Sequence, residues 1–562
     1  MISKRFTLLA ALMLLISLLA IACQPQTVEV TRVVTEVVTE TETVTEQVEV
    51  TRVVEESVEV EVTRVIEVEA PDMPEGTLVV ALPLEPNSIN PPNGADRMAG
   101  NVINQIFDSL LSVDNETNKV VPALATAWEI SDDGLEYTFT LREGVTFHDG
   151  SAFDANDVVA TWEAGLEPAN AYAGSYDGVT VEVIDNYTVK LITDEPNVLF
   201  IRNMAETLGA IISDEQYAEG GNAAIEENPI GTGPFKFVEW NKGDRIVLEA
   251  NLDYWEEGKP HLAQVIFRPI PESSTRLAAI QTGEVDIVNR LSSDEAKSLL
   301  GADDVKVVRY PADRVYYIAF NNLTTGVGLP TEDPLVRQAM NIAVDREAII
   351  DGLFDGFARL STGYVTPANL GFDETLEPFP YDPDRARELL AEAGYPDGFE
   401  IGMACPVGAY TNFEEVCSAI AGYLADVGIT MTGGEIEFLE TGVYWDLEAA
   451  KELPPLFGDS WSASVGEALP RLQGALDGFD ASYSSWSDPV IDEYLTNIEQ
   501  EFDIDARAEL YSELQTYMQE NPPFIYLYEP NSFEAINTRV QGYEPNPVEQ
   551  YYLKDVFVVE GN

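Results

Sequence analysis

The run from Pro122 to Asp157 constrains this chain more than any other stretch, because it specifies two strands, two turns and a helix start within a few dozen residues. Tyr137, Phe139 and Leu141 alternate with Thr138 and Thr140, the period of two that marks a strand with one buried face. Asp132-Asp133-Gly134 precedes them, and glycine supplies the positive φ that a tight turn demands. Asp149-Gly150 forms a second turn, and Asp154 is placed to cap a helix beginning at Ala155, its carboxylate accepting from an otherwise unpaired N–H of the first turn.

The two ends of the chain read differently. Lys4 and Arg5 precede an apolar stretch from Leu8 to Ile21, which is too short to span a bilayer and has the flanks of an export signal. Ala20-Ile21-Ala22-Cys23 closes it and resembles a bacterial lipobox; that resemblance implies removal of residues 1–22, lipidation of Cys23 and anchoring to the outer face of the cell membrane. Ala20 departs from the leucine usual at that place. Acyl chains contribute ~0.8 kcal/mol per buried CH₂, so a multiply acylated cysteine holds where one chain does not. Residues 23–75 are expected to form a stalk, since from Thr27 the composition collapses to Val, Thr and Glu, with EVTRVV at Glu29 and Glu49 and EVTRVI at Glu61. Such a segment lacks the aromatic residues a core needs. Valines and threonines seven apart leave a weak coiled coil as the alternative.

The remainder exceeds what one core usually serves, so two lobes are expected. Lys and Arg number 31 against 98 Asp and Glu, a formal net charge of −67, which excludes nucleic-acid phosphate as a partner. With Cys23 lipidated, Cys405 and Cys417 remain; outside the cytoplasm they either bridge, adding ~3 kcal/mol, or stay as buried thiols.

Strand Thr77–Leu82 opens the globular part, and a helix is expected over Arg97–Leu111. Asn228-Pro-Ile-Gly-Thr-Gly-Pro then leads into a strand, followed by Asn251-Leu-Asp-Tyr-Trp. Its glycines lack the Lys-Ser/Thr ending of a phosphate loop, and Pro234 removes a donor, so it reads as a structural turn. Val265–Pro269, a helix capped by Ser274 and stopped at Gly283, and Val285–Ile287 make a βαβ unit. Asp333-Pro334 and Asp382-Pro383 start helices, Asn412 and Glu415 make a capping box, Asp505 caps another helix, and Pro522-Pro523 ends it before strand Phe524–Tyr528.

These words, in this order, resemble the family 5 extracellular solute-binding proteins of ABC importers, the peptide- and nickel-type binders. The likeness runs from about residue 76 to the end and is densest at 122–157, 228–287 and 316–400. It implies an α/β, two-lobe, type II periplasmic-binding-protein-like fold with discontinuous lobes: 76–315 in lobe I, 316–528 in lobe II, 529–562 returning to lobe I, and two hinge strands. It implies a monomer that captures a solute without altering it and hands it to permease and ATPase subunits. A di- or oligopeptide is the first ligand choice, an oligosaccharide the second and nickel the third; a surface sensor or adhesion lipoprotein is the alternative to import.

For peptide binders the resemblance also implies an acidic side chain for the ligand's α-ammonium, and Asp459 or Glu467 is offered. Trp461 and Trp486 are placed as cleft walls, Tyr316 or Tyr317 as facing the cleft from the hinge, and Arg359 as a carboxylate contact. No catalytic group, cofactor or metal site is expected: His148 and His261 are the only histidines and stand alone, and GxSxG, HExxH and Walker patterns are missing.

Overall fold

The computed structural model describes residues 70–559 except 72, 95, 115–118, 463–465, 480 and 482. Cys23, the apolar leader and the stalk up to residue 69 lie outside the described residues.

One strand organises the rest. Phe524–Asn537 is a 14-residue strand, far longer than the five residues read from sequence. Its first half pairs antiparallel with Val315–Phe320, and its second half with Val305–Pro311 and Ile287–Val288. The short strand Ala358–Leu360 pairs with it in the middle, at Tyr528–Pro530. Around this spine a sheet extends one way through Leu456–Trp461, Met403–Val407 and Glu437–Glu440. The other way it runs through Thr77–Leu82, Gln264–Pro269, Arg245–Ala250 and Phe235–Asn241.

The buried side chains divide accordingly. One cluster is built from residues between Val315 and Tyr528, joined only by Val198 from elsewhere among the buried residues described. Three others draw on residues 78–305 and 533–558. A second sheet, Ala125–Ile130, Glu136–Leu141, Thr188–Thr193 and Val179–Asp185, packs its inner face into one of these clusters. Tyr137, Phe139 and Leu141 point inward as the alternation requires, and Asp154 caps Ala155–Gly165 through a capping box with Asp157.

The first predicted helix stops early. Arg97–Ile106 is helical, but Phe107 leaves the helix and Leu111 begins a strand. The cause is Asp108, which is half-buried and accepts hydrogen bonds from Thr232 Oγ1 at 3.0 Å, Tyr254 Oη at 3.1 Å and Trp255 Nε1 at 2.8 Å. One carboxylate thereby ties the helix end to the Gly-Thr-Gly-Pro turn and to the Tyr-Trp segment. That turn is structural: a Cβ on Gly231 would lie 2.0 Å from the Ile106 carbonyl oxygen, so only glycine allows the approach.

Other helix starts shift by small steps. Ser274 lies inside Ser273–Thr282, whose N-cap is Glu272. Asp503, not Asp505, caps Ile504–Glu520. Asn412 takes φ 56° and makes no capping bond; its amide instead donates to the Leu353 carbonyl at 2.7 Å. Cys405 sits within strand Met403–Val407 and is disulfide-bonded to Cys417. Gly458 on the neighbouring strand leaves room for the bridge, since a Cβ there would fall 2.9 Å from Cys405 Sγ.

His148 binds the Gly-Thr-Gly-Pro turn from the side. Its Nε2–H faces the Gly233 carbonyl at 3.0 Å, and its Nδ1 accepts the Gly231 N–H at 3.3 Å. The bond accepted at Nδ1 requires the neutral ring, and burial lowers the pKa to about 4 against the opposing Gly233 bond. A folded-state pKa below the unfolded one contributes stability above the unfolded value of 6.5, and that stability is lost as pH falls through the folded value. Denaturant titrations at pH 7 and pH 4.5 should show wild type losing on the order of 2–3 kcal/mol more than His148→Gln over that interval. Equal losses in both proteins would contradict this assignment.

Candidate functional site

A cavity of about 800 Å³ opens between the two groups of core clusters. From the first lobe it is lined by Trp128 and Ile130 of the hairpin sheet, with Val198 just before the helix Phe200–Asn203 and Ile201 and Arg202 within it. From the second it is lined by Asn369, Leu370, Glu467, Phe502 and Arg507. Its walls are apolar with a few polar groups set among them, the usual character of a pre-formed small-molecule site.

The second-lobe wall is held by buried polar bonds. Glu467 pairs with Arg507 at 2.7 Å, both side chains about 5 % exposed, and accepts Tyr511 Oη at 3.0 Å. Leu370 N–H donates to the Gly466 carbonyl at 2.9 Å, and Ala468 N–H to the Leu370 carbonyl at 3.1 Å, which lays the 369–370 segment along the cavity. Asn369 donates to Asp313 Oδ1 at 2.8 Å; the same oxygen accepts Thr366 at 2.6 Å, and Arg471 closes on it. Asp313 belongs to the short break, Ala312–Arg314, between the two stretches paired to the long strand. The strand crossing is therefore wired to the cavity wall.

The lobes touch at the cavity's edge. A Cβ on Gly134 would lie 2.5 Å from the Phe502 ring, so this turn glycine serves both its positive φ of 70° and the close approach of the second lobe.

The comparisons with known proteins agree with this architecture. The model of the bacterial extracellular solute-binding proteins, family 5 (middle region), matches residues 119–483. The glutathione-binding protein GsiB of Pectobacterium atrosepticum is 30% identical over 492 residues, covering 86% of this chain and 94% of its own length. The chain belongs to the family 5 solute-binding proteins. Among solved structures, it is similar to the ABC transporter-associated periplasmic binding protein DppA of Helicobacter pylori in complex with the peptide STSA, at 27% identity and a TM-score of 0.68, covering 87% of this chain and 99% of that one. A dipeptide-binding protein from Pseudoalteromonas in complex with Met-Leu gives 25% identity and a TM-score of 0.67, covering 86% and 100%. The fold is the type II periplasmic-binding-protein fold of this family.

Within this family 5 protein, Glu467 is the one residue expected from sequence to face a ligand that lines the cavity, among the described residues. It does so already neutralised by Arg507. Asp459 lies in the second-lobe core, where Tyr317 Oη donates to one carboxylate oxygen at 3.2 Å and Tyr410 Oη to the other at 2.8 Å. Burial raises its pKa, and burial together with Asp459 raises that of Glu448 beside it. Such a pair shares a proton rather than presenting two anions.

The aromatic candidates are also occupied. Tyr316 stacks on Tyr528 at 4.9 Å and Tyr317 is fully packed, so neither faces the cavity. Trp486 is core, against Phe320 and under the Arg337 guanidinium. Trp461 is half-buried, seated over Gly474 and edge-on to Tyr483. Arg359 pairs with Glu529 at 3.1 Å and lies over Phe372. Sequence reasoning missed Trp128, Arg202, Phe502 and Arg507, whose only local signals were an aromatic outside the strand's inward set and cations in an acidic chain.

Removing one partner of a buried pair strands the other charge. Arg507→Met should cost about 3–5 kcal/mol in urea unfolding, and Glu467→Leu/Arg507→Met should recover most of that. A double variant no more stable than the single would show that the pair does not act as a unit.

Proposed function

We propose that this protein captures a short peptide in the cavity between its lobes, outside the cytoplasm, and delivers it to the membrane subunits of an ABC importer. The reading is carried by one observation: an apolar, polar-studded cavity of about 800 Å³ that draws its walls from both lobes. Relatives named for glutathione and solved neighbours holding STSA or Met-Leu support peptide as the ligand class. We place lobe I at 76–315 and 529–562 and lobe II at 316–528, with the crossings near Arg314 and Glu529 as hinges. A ligand touching both lobes favours their closed arrangement only by the difference in its affinity for closed over open. Cys23 as the lipid attachment point, the stalk as a spacer and a monomeric state complete the proposal. The wall residues bind and orient, and none is assigned chemistry.

Native mass spectrometry of the purified protein tests the ligand class. Retained masses differing by amino-acid residue increments are expected. Hexose increments would replace the peptide reading with an oligosaccharide one.

A further inference from the structure

Apolar side chains face the main cavity from both lobes. Trp128 and Ile130 lie opposite Phe139 and Tyr137 in the hairpin register, and partners in such a register share a face of the sheet. They carry that face past its buried cluster into the cavity, where Ile130 is 37 % exposed. Val198, beside them, is buried in the core cluster of the second lobe. Across the space stand Leu370, Phe502 and Ile504, the last 56 % exposed. Phe502 packs against core clusters of both lobes. The seam between the lobes is thus already apolar at Phe502, and the cavity continues it.

The charged groups around this space are answered within the protein or stand at its exposed rim. Arg507 gives Nε to Glu467 Oε1 at 2.7 Å and Nη1 to the Glu501 carbonyl at 2.7 Å. Arg202 is ion-paired with Glu206 at 3.8 Å. Helix Ile504–Glu520 begins at the cavity, but its positive end is capped: Asp503 Oδ1 accepts the Asp505 N–H at 3.1 Å and the Ala506 N–H at 2.9 Å. Asp503, Asp505 and Lys119 are exposed. A charged ligand group brought between the walls gives up its water there, while the guanidinium groups beside it stay committed to Glu467 and Glu206. Drawing Arg507 away would leave a buried carboxylate unpaired. An apolar group meets neither cost and takes the facing walls out of water.

We infer that the cavity selects peptides by an apolar side chain, branched or aromatic, seated between Trp128 and Ile130 of one lobe and Leu370, Phe502 and Ile504 of the other, and that it discriminates against peptides of net negative charge. Such a side chain lengthens the seam begun at Phe502, so its burial holds the lobes together. The inference rests on the peptide reading in taking the side chain to be a peptide's.

Calorimetric titration of the mature chain, stripped of retained ligand, with trileucine, trialanine, triserine and glutathione tests it. A thermal-shift series with indole, an apolar ring without peptide bonds, runs beside it. Trileucine should bind at least about tenfold tighter than trialanine, with a more negative heat-capacity change. Triserine should bind no tighter than trialanine, and glutathione at least about tenfold more weakly than trileucine. Ile130→Lys and Ile504→Lys alter exposed positions, so their unliganded melting temperatures should stay within about 2 °C of wild type. Each should weaken trileucine at least about tenfold and trialanine less than about threefold. Indole should raise the melting temperature of wild type and of neither variant. Equal affinities across the tripeptides, glutathione bound tighter than trileucine, or variants that keep their trileucine affinity overturn the apolar subsite and leave peptide capture standing. With no peptide bound, an indole response that both variants abolish keeps the subsite and overturns the peptide reading; any other indole result then refutes both.

Discussion

The structure depends on the sharing of one strand between two bodies. Phe524–Asn537 carries the ladder of the second lobe at its beginning and that of the first at its end, and the chain crosses beside it through Val305–Pro311 and Val315–Phe320. Backbone hydrogen bonds thus continue into the junction as far as Ala312, whose N–H donates to the Pro530 carbonyl at 3.0 Å, and Asp313 then leaves the ladder to bind Thr366, Asn369 and Arg471. A connection of this kind resists separation of the lobes while leaving few residues to absorb a rotation, which is what a hinge requires.

The cavity follows from that junction. Each lobe supplies one wall, and each wall is stiffened from behind: the first by the hairpin sheet over its aromatic cluster, the second by the Glu467–Arg507–Tyr511 group. Buried charge pairs of this sort contribute little net stability. Here their consequence is positional, since Glu467 bridges to Leu370 and the group fixes the loop Asn369–Leu370 against the open space.

Much of the fold was legible because local chemistry and tertiary role coincide. The Tyr137–Leu141 alternation, the Asp154 cap and the Asp-Pro starts at 333 and 382 are short-range signals that the tertiary structure leaves intact. The helix expected to reach Leu111 failed because Asp108 is spent on three donors from residues more than a hundred positions away, which no window of sequence contains. The long strand was underread for a similar reason: Glu529 and Glu534 look like strand breakers in solution but are buried against Arg359 and Tyr543. The site was less legible than the fold. Asp459, Tyr317 and Trp486 have the residue types of a binding wall, yet each is absorbed by core partners. The residues that do line the cavity, such as Trp128 and Phe502, come from segments whose patterns carry only strand and loop information.

The central claim is that two stiff halves close on a guest about this shared strand. Small-angle X-ray scattering of the mature chain, first stripped of ligand and then saturated with a peptide shown to bind, measures that directly. A smaller radius of gyration in the saturated sample is predicted. Superimposable profiles under proven saturation would contradict it.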